Sequence, residues 1–317
     1  MEDSMKEILV AVLLLIVGFV LLIKGADFFV DGSSSVAKRL RVSSMIIGLT
    51  IVAMGTSLPE CAVSITASIS GNNGLAVSNV TGSNIFNLMV VCGLCSIFMP
   101  LTVQKETLKK EFPFSIICTL LFAVLAFVGM SVGRIDGIVF LVIFALYLAW
   151  MIYSAKKNKT EPEGEEIKIL PVWKCILFIV GGAAAVKFGG DFVVEGASTI
   201  AKSIGWSDTL IGLTIVALGT SLPELVTSII AAKKGDVDMA IGNVIGSNIF
   251  NILFVLGISA AISPVALTGE NIIDIAVLIV FSIIAYIFSA TGKKINRAEG
   301  AAMVLMYAGY TAYAIIR

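Results

Sequence analysis

Two glutamates lie inside apolar stretches of this chain, each at the end of a nearly identical motif. Residues 48–60 read GLTIVAMGTSLPE and residues 212–224 read GLTIVALGTSLPE, so the motifs differ at a single position. Glu60 and Glu224 are their last residues. A carboxylate in the middle of a membrane-spanning segment costs roughly 3 kcal/mol or more, so it is rare there without a function. Two such acids in matching surroundings predict a functional site rather than a packing role.

Hydroxyl side chains accompany each glutamate at helical spacing. Thr56 and Ser57 precede Glu60 by four and three residues, so on a helical backbone the three share one face. The second copy repeats the arrangement with Thr220, Ser221 and Glu224. The pattern predicts two symmetric clusters of oxygen atoms, one around each glutamate.

A second pair of matched motifs follows the first pair at the same distance. Residues 79–87 read NVTGSNIFN and residues 243–251 read NVIGSNIFN. Within them Ser83 and Asn87 are four residues apart, and the second copy repeats this with Ser247 and Asn251. Single polar residues in membrane helices usually form hydrogen bonds to a neighbouring helix. Symmetric pairs beside two acids favour a shared site.

The side-chain chemistry of these motifs indicates a hard cation. Pro59 and Pro223 have no backbone N–H, so each frees a carbonyl four residues earlier, at Gly55 or Gly219. Carboxylate, hydroxyl, amide and carbonyl oxygens suit Ca²⁺ or Na⁺ better than transition metals. The chain has no histidine, and its five cysteines lie in or beside apolar runs, where they pack as small residues. A zinc or redox site is therefore not expected.

The composition predicts an all-α integral membrane protein. The chain is 58% hydrophobic and 14% charged, whereas soluble proteins have about 25% charged residues. Apolar runs long enough to cross a bilayer predict ten transmembrane helices. Their approximate bounds are 7–30, 44–69, 75–99, 112–132, 136–154, 170–194, 208–232, 238–263, 271–290 and 298–316.

Lysine and arginine are concentrated in alternate connections, which predicts the orientation. Under the positive-inside rule the connection 154–169 is cytoplasmic and both termini lie outside the cell membrane. This linker separates a first five-helix half, residues 1–153, from a second, residues 170–317. An odd number of spans per half inverts the second copy, so the motif regions 48–87 and 212–251 would face each other near the membrane midplane.

The repeated GTSLPE and GSNIFN motifs resemble the alpha repeats of the sodium/calcium exchanger family, in the cation/calcium antiporter superfamily. The chain is similar to a compact prokaryotic member, with two five-helix halves and a short linker. The resemblance implies a core of spans two, three, seven and eight. It also implies that spans one and six are long tilted helices that slide across the core during alternating access.

The resemblance also implies a set of ion ligands, assigned by matching motif positions. A central Ca²⁺ site would use Glu60 and Glu224 with the backbone carbonyls of Thr56 and Thr220. Flanking Na⁺ sites would use Ser57, Ser83 and the Ala53 carbonyl, and Ser221, Ser247 and the Ala217 carbonyl. Asn87 and Asn251 would complete the middle of the cluster, where many relatives have an aspartate at one of the two positions. With asparagine at both positions the site has only two acids. The resemblance therefore does not decide how many Na⁺ exchange for each Ca²⁺ or whether K⁺ is required.

The expected function is antiport of Na⁺ against Ca²⁺, with no enzyme activity and no cofactor beyond the transported ions. The expected partners are these ions and the lipid bilayer, without nucleic acid or an obligate protein partner. The alternatives are H⁺/Ca²⁺ exchange through the glutamates, K⁺-dependent Na⁺/Ca²⁺ exchange and a passive cation channel. An intramembrane protease is disfavoured, because these shells of Ser, Thr and Asn are suited to replacing the hydration of an ion.

Overall fold

The computed structural model describes residues 2–71, 73–157, 169–207 and 211–317. It is built almost entirely of helices, and the predicted linker 154–169 lies mostly outside the described residues. The elements of the first half are α1 (Glu2–Leu40), α2 (Ser44–Ile47), a π-helix (Gly48–Val52), α3 (Ala53–Thr56), α4 (Leu58–Ile69), α5 (Asn73–Phe86), a π-helix (Asn87–Val91), α6 (Cys92–Phe98), β1 (Leu101–Thr102), α7 (Lys105–Lys109), α8 (Glu111–Gly129), β2 (Ser131–Val132) and α9 (Arg134–Lys157).

The second half repeats much of this order. Its elements are α10 (Val172–Ser203), a π-helix (Gly212–Val216), α11 (Ala217–Gly219), α12 (Leu222–Lys233), α13 (Val237–Phe250), a π-helix (Asn251–Leu256), α14 (Gly257–Ile262), β3 (Val265–Ala266), α15 (Gly269–Ala290), a 3₁₀ turn (Thr291–Lys293), β4 (Lys294–Ile295) and α16 (Arg297–Ile316). In both halves a π-helical segment begins at the last asparagine of the GSNIFN motif, and such segments are frequent at functional sites.

Seven helices of the described chain are long and apolar enough to cross a membrane, and a bent pair supplies an eighth candidate. The pair joins Ser44–Thr56 to Leu58–Ile69 with an angle of 49° and corresponds to the predicted span 44–69. Of the other two predicted spans, 208–232 begins in residues outside the description, and 298–316 forms α16 without passing the same test. A multi-pass all-helical membrane protein is confirmed, and the count of ten spans stays a prediction.

The helices α1 and α10 are longer than predicted, with 39 and 32 residues. At about 1.5 Å per residue both exceed a hydrocarbon core of roughly 30 Å, so they must tilt or project from it. Glycines let them pack closely along their length. A Cβ at Gly18 would lie 2.8 Å from the Gly189 carbonyl oxygen, and one at Gly25 would lie 2.9 Å from the Val186 nitrogen. Glycine at every seventh residue (Gly18, Gly25, Gly32; Gly182, Gly189, Gly196) therefore forms this contact.

Each GTSLPE motif forms a helix break. Helix α3 ends at Thr56, Ser57 leaves the helical region with φ −85° and ψ 12°, and α4 begins at Leu58. Pro59 lies in the first turn of α4, where its missing N–H removes no intrahelical hydrogen bond. The second motif repeats this geometry at Ser221, with φ −95° and ψ 4°. The prolines therefore start new helices, and the serines at the two breaks are buried in the protein interior.

Two short antiparallel sheets join loops of the two halves. Leu101 pairs with Ile295 in the first, and Val132 pairs with Val265 in the second. Paired loops must lie at the same end of the helices. The predicted orientation places the loops 100–112 and 290–300 on one side and 131–136 and 264–271 on the other, which agrees with this pairing. Which side is cytoplasmic stays a prediction.

Candidate cation site

The two glutamates lie in the protein interior, in the first turns of α4 and α12. Both side chains are 0% exposed. Each follows a helix break directly, and the motifs of both halves meet there. The structure thus brings together the acids that the sequence predicted, although they are 164 residues apart.

Serines from opposite halves hold the glutamates. The Ser57 hydroxyl donates to Glu224 Oε1 at 2.7 Å, and the Ser221 hydroxyl donates to Glu60 Oε1 at 3.1 Å. Ser83 lies 3.5 Å from the same Glu60 oxygen. Because Ser57 and Ser221 each bind the glutamate of the other half, the two predicted oxygen clusters form one continuous site.

Four carboxylate and amide oxygens of the site have no hydrogen-bond partner among the described residues. They are Oε2 of Glu60, Oε2 of Glu224, Oδ1 of Asn87 and Oδ1 of Asn251. All four side chains are 0% exposed. A buried acceptor without a donor costs about 1–3 kcal/mol, and more when charged. Four such acceptors, two of them on carboxylates, fit a cation that supplies the missing partner.

The predicted carbonyl ligands are only partly free. The Ala53 carbonyl accepts from the Ser57 backbone N–H at 3.0 Å and lies 3.5 Å from the Ser247 hydroxyl. Thr56 Oγ1 lies 3.3 Å from this carbonyl and 3.1 Å from Asn243 Oδ1, and its single proton serves one acceptor at a time. The Ala53 carbonyl, which the family resemblance implies as a Na⁺ ligand, therefore already has hydrogen-bond donors.

The second half differs at the equivalent positions. Thr220 Oγ1 is buried without a partner among the described residues, whereas Thr56 has two acceptors in reach. Ala217 lies in α11, at the place that Ala53 holds in α3. The roles of the Ala217, Thr56 and Thr220 carbonyls as ligands stay predictions.

The residues that support the glutamates were not predicted from the sequence. Asn79 donates through Nδ2 to the Glu60 carbonyl at 3.2 Å and to the Ser64 hydroxyl at 2.9 Å. The matching bonds run from Asn243 Nδ2 to the Glu224 carbonyl at 3.4 Å and to the Ser228 hydroxyl at 2.9 Å. A signal existed in the sequence, since both asparagines open the second motif and both serines lie four residues after the glutamates.

The central asparagines of the GSNIFN motifs, Asn84 and Asn248, were also not predicted from the sequence. Asn87 donates through Nδ2 to Asn248 Oδ1 at 3.2 Å, and Asn251 donates through Nδ2 to Asn84 Oδ1 at 3.1 Å. These bonds cross between the halves and fix the side chains that carry two of the unpartnered oxygens.

A cavity of about 310 Å³ lies beside the site, between α10 and the helix breaks. Thr220, Pro59 and Pro223 line it, together with Lys187, Asp191 and Glu195 of α10. Acidic side chains along an approach raise the local concentration of cations. The cavity therefore places two acidic side chains of α10 near Thr220, beside the candidate site.

Asp27 and Asp31 of α1 occupy the positions that Asp191 and Glu195 hold in α10, but they form different ion pairs. Asp27 and Asp31 of α1 both pair with Lys234, which follows α12, and the Asp27 contact is 2.7 Å. On α10, Lys187 pairs with Asp191 one turn away. The ion pair on α10 is therefore confined to that helix. On α1 the acids are tied to the opposite half.

The comparisons with known proteins cover almost the whole chain. The family model described as sodium/calcium exchanger protein matches residues 10–153 and 174–316. CaxA of Alkalimonas amylolytica is 43% identical over 312 residues, covering 95% of this chain and 98% of that protein. The sodium/calcium exchanger MaX1 of Methanosarcina acetivorans is 34% identical over 337 residues, covering 94% and 96%.

The fold matches a solved exchanger over almost its whole length. A structure of the sodium-calcium exchanger NCX_Mj, soaked with Na⁺ and Sr²⁺, has a TM-score of 0.84 and 34% identity, and the match covers 96% of this chain and 98% of that one. The structure of NCX_Mj soaked with zero Na⁺ and Ca²⁺ also has a TM-score of 0.84. The chain, a multi-pass membrane protein with a buried oxygen site, therefore belongs to the sodium/calcium exchanger family.

Proposed function

We propose that this protein exchanges Na⁺ for Ca²⁺ across the cell membrane by alternating access. The observation that carries the proposal is the set of four buried, unpartnered oxygens on Glu60, Glu224, Asn87 and Asn251. Two carboxylates and two amide oxygens match the hard ligands of a Ca²⁺ ion, and the two carboxylates neutralise its charge. The neighbouring serine hydroxyls supply further oxygens for Na⁺ when Ca²⁺ has left.

The proposed ligand sets follow the motif positions. Ca²⁺ would bind Glu60 and Glu224 at the centre. Na⁺ would bind on either side, near Ser57, Ser83 and Ala53 in one half and near Ser221, Ser247 and Ala217 in the other. Ser57 and Ser221 each bind the glutamate of the opposite half. An ion that shifts the position of a glutamate side chain would therefore also alter a contact between the halves.

The proposed architecture is two inverted repeats with five spans each. The matched hydrogen bonds at Asn79 and Asn243, and the matched breaks at Ser57 and Ser221, support two copies of one unit. The approach to the site differs between the copies, with a cavity beside α10 and an ion-paired contact at α1. In an inverted repeat this difference would open the site to one side of the membrane at a time.

Ion flux in liposomes that contain the purified protein tests the proposal. We expect an outward Na⁺ gradient to drive Ca²⁺ uptake with a protonophore present, and Glu60→Gln to abolish that uptake. Uptake that follows a pH gradient and ignores Na⁺ would establish H⁺ exchange instead. A requirement for K⁺ would identify a K⁺-dependent exchanger. Ca²⁺ flux down its own gradient without any counter-ion would indicate a channel.

A further inference from the structure

Asn84 and Asn248, which are not among the predicted ligands, form hydrogen bonds to each other between the two halves. Asn84 Nδ2 donates to the backbone carbonyl of Asn248 at 3.2 Å, and Asn248 Nδ2 donates to the backbone carbonyl of Asn84 at 3.3 Å. The side chains are 0% and 2% exposed. The pair therefore forms a reciprocal contact in a dry region where each polar atom needs a partner.

The carbonyl acceptors determine how these two amides are oriented. A backbone carbonyl only accepts hydrogen bonds, so the atom of Asn84 that faces it must be the NH₂ group. Turning the Asn84 amide over would place two acceptor oxygens against each other. The Oδ1 atom of Asn84 is thus fixed on the opposite edge of the amide, and the same argument applies to Asn248.

This orientation is passed on to the next pair of amides. The Asn84 Oδ1 accepts from Asn251 Nδ2 at 3.1 Å, so Asn251 must direct its NH₂ group toward Asn84 and its own Oδ1 away. That Oδ1 is buried without a partner among the described residues. Asn248 acts on Asn87 in the same way, through a bond of 3.2 Å, and Asn87 Oδ1 is also unpartnered.

We infer that Asn84 and Asn248 are positioning residues that hold the amides of Asn251 and Asn87 with both oxygens turned toward the cation. The inference rests on the proposed function for the identity of the ion. An Asn251 amide released from Asn84 can rotate and present its NH₂ group, a donor that repels a cation. Asn84 thus sets the ligand chemistry of the other half without contacting the ion.

A role in helix packing alone predicts a different pattern of coupling. Asn84 and Asn87 lie on the same helical segment, three residues apart, and general loosening of that segment would affect Asn87 first. The observed bonds instead join Asn84 to Asn251 and Asn248 to Asn87, across the halves. Coupling between 84 and 251, without coupling between 84 and 87, is therefore the signature of positioning.

Double-mutant cycles on the full-length purified protein test this. The readouts are the Ca²⁺ dissociation constant from calorimetric titration and the rise in melting temperature that Ca²⁺ causes. We expect Asn84→Ala to weaken Ca²⁺ binding about tenfold, in the range of coupling energies between interacting residues. In the Asn251→Ala background it should have less than about a twofold effect, and in the Asn87→Ala background the full loss should persist. Asn248→Ala should give the mirror pattern.

Equal losses in both backgrounds, or unchanged Ca²⁺ binding in Asn84→Ala, would overturn the inference. Ser96→Ala is the control for packing, because Ser96 is buried and bonded to the Gly93 carbonyl at 2.8 Å in α6. It should change the melting temperature without changing Ca²⁺ affinity. If Asn84→Ala does not fold, Asn84→Ser takes its place in the same cycle.

The two proposals fail in distinguishable ways. Unaltered protein that binds Ca²⁺ but shows no Na⁺-driven flux would overturn Na⁺/Ca²⁺ exchange, and the cycle would still decide the role of Asn84. Normal flux with no coupling between residues 84 and 251 would overturn the positioning role alone. Unaltered protein that binds no Ca²⁺ would overturn both.

Discussion

The hydroxyl of Ser57 donates a 2.7 Å hydrogen bond to Oε1 of Glu224, which belongs to the other half of the chain. The bond uses one oxygen of the carboxylate and leaves Oε2 without a partner among the described residues. Ser57, at the helix break of the first half, therefore orients Glu224, the acid just after the helix break of the second half. Neither half contains a complete site by itself.

The glutamates should be indispensable for Ca²⁺ transport. At an effective dielectric constant of about 20, two unit charges 4 Å apart interact by about 4 kcal/mol, and a divalent ion doubles this. Glu60→Gln or Glu224→Gln removes one of the two formal charges, so we expect Ca²⁺ uptake into liposomes to fall at least about 100-fold. The control is Glu270→Gln, an exposed acid at the start of α15. Nearly normal uptake by either site variant would remove that glutamate from the mechanism.

The two motif glycines at 82 and 246 should respond differently to alanine. A Cβ at Gly246 would lie 2.7 Å from the Leu49 Cα and carbonyl oxygen, whereas a Cβ at Gly82 would meet nothing within 4 Å in the described chain. Overpacking a core costs about 1–3 kcal/mol. We expect Gly246→Ala to lower the melting temperature by several degrees and Gly82→Ala to leave it unchanged.

Gly82→Ala should reduce the transport rate although it leaves the melting temperature unchanged. If the halves exchange roles during alternating access, the residue that is open in this conformation becomes the packed one in the other. Gly82→Ala should then slow Ca²⁺ exchange in liposomes although the protein is fully stable. Wild-type exchange by Gly82→Ala would argue against a symmetric exchange of roles, and a large loss of stability would contradict the packing seen here.

The exchange should respond to membrane voltage. With asparagine at both 87 and 251, the site has two negative charges, so Ca²⁺ neutralises it and three Na⁺ would leave one net positive charge. Moving that charge across the membrane is worth roughly 2.3 kcal/mol per 100 mV. An inside-negative potential clamped with K⁺ and valinomycin should therefore change the rate of Na⁺-driven Ca²⁺ uptake. Uptake that is indifferent to the clamp would indicate two Na⁺ per Ca²⁺.

The predicted orientation can be checked by labelling single cysteines in intact cells. In a background without the five native cysteines, Arg134→Cys should react with an impermeant thiol reagent, because the positive-inside rule places it outside. Lys157→Cys, at the end of α9, should react only after the cells are opened. Both positions are exposed in the structure. Labelling of residue 157 but not 134 in intact cells would reverse the topology.

The sequence by itself determined the class of protein and predicted most of the residues that the structure brings together at the candidate site. Hydrophobic runs reveal membrane helices because lipid requires apolar side chains and internally bonded backbone. Glu60 and Glu224 stand out for the same reason, since a charge in such a run is costly. Ser57 and Ser221 were identified because the duplication repeats them at equal distance from the acids.

Only the tertiary structure decided which half contains the hydrogen-bond partner of each side chain. Spacing along one helix places Ser57 and Glu60 on the same face, yet Ser57 binds Glu224. Spacing along one helix also could not show that Asn84 orients Asn251, or that the Ala53 carbonyl already has hydrogen-bond donors. These contacts join residues more than 160 positions apart. They depend on how two broken helices cross, and helical periodicity within one segment carries no information about that crossing.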